Sequence, residues 1–289
     1  MSDQAPEKKR VTPWNLLEAA LVVVGIQVVA LAITNLNGPI YSSIVASTGP
    51  SYAPAGTTVT GSALNAVILV AFAFALTLGL VWMLRRKMVK SFKVIVFASV
   101  AFSAFILTLV TADDFAVEYL PPNLELLVAF GVPALVVALV GYIIFVKNTL
   151  WLSTAVLAFV GAQVGSFFAE TLSPWTALAL PIAFSIYDIY AVFRGPLKAL
   201  IGTAPGIALV GMSVKAGEFT VGLGDIVFYT LLPSLAFFQW GVTEALATMV
   251  AIDIGMVITL YLLSRRRLLP GLPIPMLLGV LVIVFYLAA

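Results

Sequence analysis

Four acidic residues lie inside long apolar stretches of the chain, at least four residues from either end: Glu18, Asp188, Asp225 and Asp253. A carboxylate at the centre of a membrane span costs roughly 2.5–3.5 kcal/mol to insert. No Lys or Arg lies within these stretches to neutralise one. Acidic residues in such positions either form hydrogen bonds between helices or belong to a functional site.

Asp188 and Asp225 have the spacing of a working pair. Asp188 lies near the predicted inner end of one span, which finishes at Phe193, and Asp225 lies near the inner end of the next. Since consecutive spans run in opposite directions, both carboxyls reach a similar depth and can face each other. Two facing carboxyl groups in a low-dielectric site share one proton. The ionised member can activate water and the protonated member can donate to a carbonyl oxygen, which is the chemistry of peptide hydrolysis.

The composition removes several competing chemistries. The chain has no Cys and no His, which excludes thiol nucleophiles, Ser-His-Asp triads, His- or Cys-ligated zinc sites and disulfides. We expect no metal site and no cofactor. The net charge of +2, from 15 basic and 13 acidic residues, is too balanced to indicate nucleic-acid binding.

The chain is predicted to be an all-α polytopic membrane protein. Of its 289 residues, 62% are apolar and 10% charged, and the mean hydropathy is +1.13, whereas water-soluble domains carry about 25% charged residues. Nine apolar runs are long enough to cross a bilayer. They cover residues 14–34, 61–84, 94–111, 124–146, 150–168, 175–193, 221–240, 244–264 and 272–289.

The positions of the basic residues predict the orientation. If the amino terminus is inside, all 15 Lys and Arg fall in inner segments, so the positive-inside rule gives N-in and C-out. We divide the single membrane domain into residues 1–193, with spans 1 to 6, and residues 194–289, with an inner linker and spans 7 to 9. The expected setting is the cell membrane of a microbe.

Three further expectations concern the segments outside the spans. Residues 35–60, rich in Ser, Thr, Gly and Pro, are predicted to form an irregular outer loop that could include a short surface helix. Residues 202–211 could add a half-helix. The acidic residues outside the predicted spans, Asp114 and Glu170 among them, are expected to be exposed.

The two aspartates lie in motifs that resemble a known family. The Tyr187-Asp188 pair, the Gly-Pro-Leu at 195–197, and Gly222-Leu223-Gly224-Asp225 with the residues that follow to 229 resemble the presenilin and signal peptide peptidase family of intramembrane aspartyl proteases. The nine-span layout is similar as well, and the Phe-Tyr at 228–229 with the N-in orientation resembles the presenilin branch.

The resemblance implies roles for particular residues. It implies that Asp188 and Asp225 are the catalytic pair, with Tyr187, Gly222, Leu223 and Gly224 shaping the site. In that family a Pro-Ala-Leu motif opens the last span beside the aspartates, and Pro270, Gly271, Leu272 and Pro273 stand at the matching place, with Gly271 in place of the family's Ala. We expect this segment to be non-helical and to dock an unwound substrate strand by backbone pairing. Gly222 and Gly224, beside Asp225, are expected to admit a substrate backbone and to permit unusual φ/ψ.

The implied substrates are transmembrane proteins or peptides, cut near the inner side of the bilayer. The link between spans 6 and 7 lacks the long insertion of animal presenilins, so self-cleavage is not expected. Asp188 and Asp225 could instead serve a proton-coupled transporter or ion channel, or form an interhelical contact. A prepilin-peptidase-like enzyme also shares the G-x-G-D aspartate but is expected to act on short leader sequences. For Asp253 a structural hydrogen bond is favoured.

Overall fold

The computed structural model describes residues 12–146, 149–194, 211–265 and 269–288. Over these residues the chain is nearly all helical, with nine α-helices that each contain most of one predicted span, so the all-α prediction is confirmed. The helices are α1 Pro13–Thr48, α2 Val59–Arg85, α3 Val89–Tyr119, α4 Pro122–Gly141, α5 Leu150–Thr171, α6 Pro174–Phe193, α7 Leu223–Gln239, α8 Val242–Arg265 and α9 Pro273–Ala288. A single stretch of π-helix, Tyr142–Val146, extends α4.

Seven of these helices, α1 to α6 and α8, are long and apolar enough to cross a membrane. The chain is therefore an integral membrane protein. The other two, α7 with 17 residues and α9 with 16, are apolar but shorter. Proline opens α1, α4, α6 and α9, where its missing N–H costs nothing because the first turn of a helix has no partner for that group.

Helix α1 differs from the prediction at its outer end. The sequence predicts a loop over residues 35–60, but the helix continues to Thr48. Its added turns pack on neighbouring helices, since Gly38 lies against Phe238 and the ring of Tyr41 meets that of Phe167 edge-on at 5.7 Å. Hydroxyls of the last turns also donate to carbonyls of the preceding turn. Tertiary packing overrides the loop-like composition here.

A β-hairpin precedes α7, and the sequence did not predict it. Strand β1, Ser213–Ala216, pairs antiparallel with β2, Phe219–Gly222, and Lys215 stands opposite Thr220. Gly217 has φ +60° at the turn, a value that glycine adopts without steric cost. The hairpin is fastened to α5, because the backbone N–H of Lys215 donates to the hydroxyl of Thr154 at 3.2 Å.

Helix α7 is the centre of the bundle and packs against α1, α5 and α8. Leu231, Leu232 and Leu235 on it are completely buried. On α5, Gly165 permits the close approach of α7, because an added Cβ would lie 2.0 Å from Thr230 Oγ1 and 2.7 Å from the carbonyl oxygen of Val227. The helix that carries the G-x-G-D motif is therefore held on several sides.

Some predicted features lie outside the described residues. They are the Gly-Pro-Leu at 195–197, the half-helix at 202–211 apart from Gly211, and the basic residues Lys8, Lys9, Arg10, Lys147, Lys198, Arg266 and Arg267.

Candidate active site

Asp188 projects from α6 toward the segment that precedes α9. Helix α6 begins at Pro174, and the side chain of Ser173 caps it by accepting the N–H of Thr176. Four turns later, Asp188 Oδ2 accepts the backbone N–H of Leu272 at 3.1 Å. This contact ties the carboxyl of Asp188 to the backbone of the segment before α9.

Asp225 stands in the first turn of α7, directly after β2. Its Oδ2 accepts the backbone N–H of Gly222 at 3.3 Å. This bond uses one of the unpaired N–H groups at the start of the helix, where a negative charge is favoured. Asp188 lies close enough for its charge to act on Asp225. Helices α6 and α7 thus bring both carboxyls to one place, each with its own backbone donor.

Both carboxyls line a cavity of ≈ 310 Å³. Its polar lining in the described residues comes from the two aspartates, Thr77 and Tyr187, and the rest is apolar. The apolar part of the wall comes from α2, α3, α6 and α7, from the residue before β1 and from the residue before α9. These residues are Leu80, Val81, Phe92, Phe184, Ala191, Met212, Gly224, Phe228 and Leu272. Carboxyl groups in such a cavity are shielded from bulk water, so their interactions are stronger than on a surface.

The glycines at the site leave room for neighbouring atoms, and they do not supply unusual backbone angles. The expectation of unusual φ/ψ is wrong, because none of Gly222, Gly224 and Gly271 has a positive φ. A Cβ at Gly271 would lie 2.8 Å from Asp225 Oδ2, and one at Gly222 would lie 3.2 Å from the same atom. No neighbouring group lies within 4 Å of a Cβ added at Gly224, so the cavity is open next to this residue.

The segment from Pro270 to Leu272 is non-helical, and α9 begins at Pro273. Three of its backbone groups are already used: the Leu272 N–H by Asp188, the Gly271 carbonyl by the hydroxyl of Tyr229 at 2.9 Å, and the Leu272 carbonyl by the N–H of Met276 at 3.0 Å. The side chain of Leu272 is buried in the main apolar core. The segment therefore lies against both aspartates, with part of its hydrogen-bonding capacity satisfied internally.

Tyr187 lines the cavity and separates it from a second space. Its hydroxyl donates to Thr77 Oγ1 of α2 at 3.1 Å, and its ring meets that of Phe74 edge-on at 6.1 Å. It also lines a groove of ≈ 640 Å³ between α2 and α6. Tyr187 thus both packs against α2 and lines the cavity that holds the aspartates.

The remaining acidic residues lie elsewhere. Asp253 on α8 lies beside the side chain of Gln27 from α1, an interhelical position. Asp114 and Glu170 correct the expectation that they are exposed: their exposed fractions are 9% and 2%. Both lie near the ends of α3 and α5 that are far from the hairpin, where packing against α1 covers them. Within the described ranges, no group of three or more His, Cys, Asp and Glu is placed to hold a metal ion.

Sequence reasoning missed three contributors to the site: Thr77, Met212 and the hydroxyl of Tyr229. The spacing of Tyr229 four residues after Asp225 puts both on one face of a helix, and this signal could have found it. Thr77 and Met212 carry no such signal, since only the tertiary arrangement brings α2 and the hairpin to the cavity.

Two carboxyls from different helices line one cavity in this nearly all-helical membrane protein. Comparison with known proteins shows the family to which the chain belongs. The Presenilin family model matches residues 16–206 and 212–289, and the chain belongs to the presenilin family. The resemblance inferred from the motifs is thereby confirmed, and it favours this family over the prepilin-peptidase-like alternative.

Two relatives place the chain further. It is 34% identical over 120 residues to Presenilin-B of Dictyostelium discoideum, a match that covers 38% of this chain and 25% of that protein. The chain thus spans about a quarter of the length of that relative. Its fold is similar to the solved structure of a presenilin family intramembrane aspartate protease, with a TM-score of 0.62 at 20% identity over 95% of this chain and 99% of that one.

Proposed function

We propose that the chain is an intramembrane aspartyl endopeptidase that hydrolyses peptide bonds in transmembrane segments of other proteins, with Asp188 and Asp225 as the catalytic pair. The observation that carries the proposal is that two carboxyls from neighbouring helices line one cavity, in a chain without His or Cys. Family membership supports the same activity.

The pair needs one ionised and one protonated carboxyl. The ionised member takes a proton from water as the water oxygen attacks the scissile carbonyl carbon, and the protonated member donates to the carbonyl oxygen. When the tetrahedral intermediate collapses, the C–N bond breaks and the leaving nitrogen receives a proton from the first carboxyl. The second carboxyl recovers its proton from the intermediate, so the pair returns to its starting state.

A substrate must present an extended backbone, because the hydrogen bonds of a helix shield its carbonyls. Strand β2 offers a docking edge beside Asp225. Since Lys215 directs its N–H and carbonyl to Thr154 and away from β2, its partner Thr220 belongs to a non-hydrogen-bonded pair and directs its own backbone groups to the opposite edge. An unwound substrate strand can pair there, and the Pro270–Pro273 segment can bind its other side through the carbonyl of Pro270.

The groove between α2 and α6 is a suitable approach for a substrate helix. It is lined by apolar residues and by Tyr187 and Tyr190, and it faces the side of the bundle that lipid covers. Tyr187 lines both this groove and the catalytic cavity. We therefore propose that a transmembrane substrate lies in the groove and passes Tyr187 to reach the aspartates.

The proposal also covers organisation and setting. Residues 1–193 and 194–289 form one membrane domain, supported by the packing of α7 on α1 and α5. We place the chain in the cell membrane of a microbe, with N-in and C-out orientation from the positive-inside rule. The catalytic pair then lies near the inner surface.

The test compares wild type with Asp188→Asn and Asp225→Asn, each purified in detergent and incubated with a transmembrane peptide. New peptide termini are read by mass spectrometry. Both variants keep the shape of the side chain and should lose all cutting, since an amide can neither take nor give the proton. Asp114→Asn is the matched control, a buried acid at the far end of the bundle, and should cut normally.

Two results would contradict the proposal. Cutting that survives in both site variants would remove the pair from the mechanism. If wild type cuts none of several peptides, while ion flux across liposomes depends on Asp188 or Asp225, the chain is a transporter or channel instead.

A further inference from the structure

Tyr229 is a buried tyrosine next to the two aspartates. It lies one helical turn after Asp225 on α7 and is 2% exposed. Its hydroxyl donates to the carbonyl oxygen of Gly271 at 2.9 Å. The phenol ring therefore spans the space between α7 and the segment that leads into α9.

The carbonyl of Gly271 and the N–H of Leu272 belong to the same peptide group. Tyr229 binds the oxygen of this group, while Asp188 Oδ2 accepts its N–H at 3.1 Å. Because a peptide group is planar and trans, its carbonyl and N–H point in opposite directions. Fixing the oxygen thus fixes the direction of the N–H, and hydrogen bonds in such a chain polarise one another.

The backbone of Tyr229 is itself held by a side chain of another helix. Gln27, completely buried on α1, donates its amide to the Tyr229 carbonyl at 3.2 Å. Asp253 on α8 lies beside the same Gln27 side chain. Helices α1, α7 and α8 therefore meet close to this tyrosine, and the hydroxyl of Tyr229 connects them to the Gly271–Leu272 peptide.

We propose that Tyr229 is a positioning residue for the catalytic pair, which acts through the Gly271–Leu272 peptide to keep an N–H donor directed at Asp188. The inference rests on the proposed function. Without the hydroxyl, the Gly271 carbonyl loses its partner, the peptide is free to turn, and the carboxyl of Asp188 loses the N–H of Leu272 that holds it in place. The hydroxyl is thus required for the chemical step and not for substrate binding.

The experiment compares Tyr229→Phe with Tyr41→Phe in steady-state cleavage of a transmembrane peptide. Both substitutions remove one hydroxyl from a buried tyrosine, and Tyr41 contacts Phe167 near the far end of α5. Tyr229→Phe should lower kcat by about 10-fold to 100-fold, the range for a displaced catalytic group, with KM within about twofold of wild type. Tyr41→Phe should keep both values. Thermal unfolding sets a temperature at which all three proteins are folded.

The outcomes separate this inference from the proposed function. If wild type and Tyr41→Phe cut the peptide and Tyr229→Phe keeps the wild-type kcat, the positioning role is wrong and the protease assignment stands. A raised KM with unchanged kcat would also overturn it, because that pattern means lost binding. If wild type does not cut, the proposed function itself fails.

Discussion

Gly271 is the position where a single methyl group most directly disturbs the aspartate pair. In Gly271→Ala the new Cβ would lie 2.8 Å from Asp225 Oδ2, 3.2 Å from Cγ and 3.4 Å from Oδ1. A relaxed contact needs about 3.5 Å, so the carboxyl and the segment must separate by about 0.7 Å. The segment is held by the bonds of the Leu272 N–H to Asp188 and of the Gly271 carbonyl to Tyr229. The Asp225 carboxyl is held by the N–H of Gly222.

The size of the effect follows from this displacement. Overpacking costs about 1–3 kcal/mol, and a shift of about 1 Å in a catalytic group lowers the rate by on the order of 100-fold. We therefore expect kcat of Gly271→Ala to fall by about 10-fold to 100-fold, which is about 1.4–2.7 kcal/mol in activation free energy. The direction is informative because the substitution restores the Ala of the Pro-Ala-Leu motif that this segment resembles.

The assay is the peptide cleavage assay with kcat and thermal unfolding measured on the same preparations. Gly131→Ala on α4 is the matched control, since nothing lies within 4 Å of a Cβ added there, and it should cut like wild type. If Gly271→Ala cuts as fast as this control, the segment and Asp225 adjust without cost. The steric account of the site would then be refuted.

Two other substitutions test the surroundings of the site. Thr220→Pro removes a backbone donor from the edge of β2 that faces away from β1, and it removes no hydrogen bond between the two strands. KM should therefore rise several-fold, whereas Thr220→Ala should keep a KM near that of wild type. Equal KM values for the two variants would exclude substrate docking at this edge. Gly165→Ala would force α5 away from α7, with its Cβ at 2.0 Å from Thr230 Oγ1, and should lower the free energy of unfolding by about 1–3 kcal/mol. Gly25→Ala, with open space around it, is its control, and the same unfolding temperature in both variants would contradict the packing argument.

The helices were predictable because a membrane span can be recognised from the length and hydropathy of its apolar run. Each α-helix contains most of one predicted span, and the opposite directions of consecutive spans predicted that the two aspartates can face each other. The end of α1 at Thr48 could not be read in this way, since Gly38 and Tyr41 are helical because of what they contact on other helices. Long-range packing leaves no local mark in composition.

The hairpin and the Gly271–Leu272 peptide could not be predicted from the sequence for a similar reason. Strand β2 is only four residues long and runs straight into an apolar helix, so hydropathy merges it with the span. The N–H that binds Asp188 belongs to the backbone of Leu272, and a backbone group has no residue type to recognise. The burial of Glu170 likewise depends on α1, whose outer turns were predicted as loop.

The shortness of α7 and α9 bears on the lipid around the site. At 1.5 Å per residue their 17 and 16 residues span about 26 Å and 24 Å, less than the roughly 30 Å of a hydrocarbon core. Helix α7 is enclosed by other helices, so α9 is the short helix that meets lipid. We expect the bilayer to thin by a few ångströms beside α9, next to the segment that contacts the aspartates. A passing substrate helix therefore enters a shallower membrane, where headgroups and water reach its inner turns and compete for its backbone hydrogen bonds. We therefore expect deformation of the bilayer to begin the unwinding that the proposed cleavage requires.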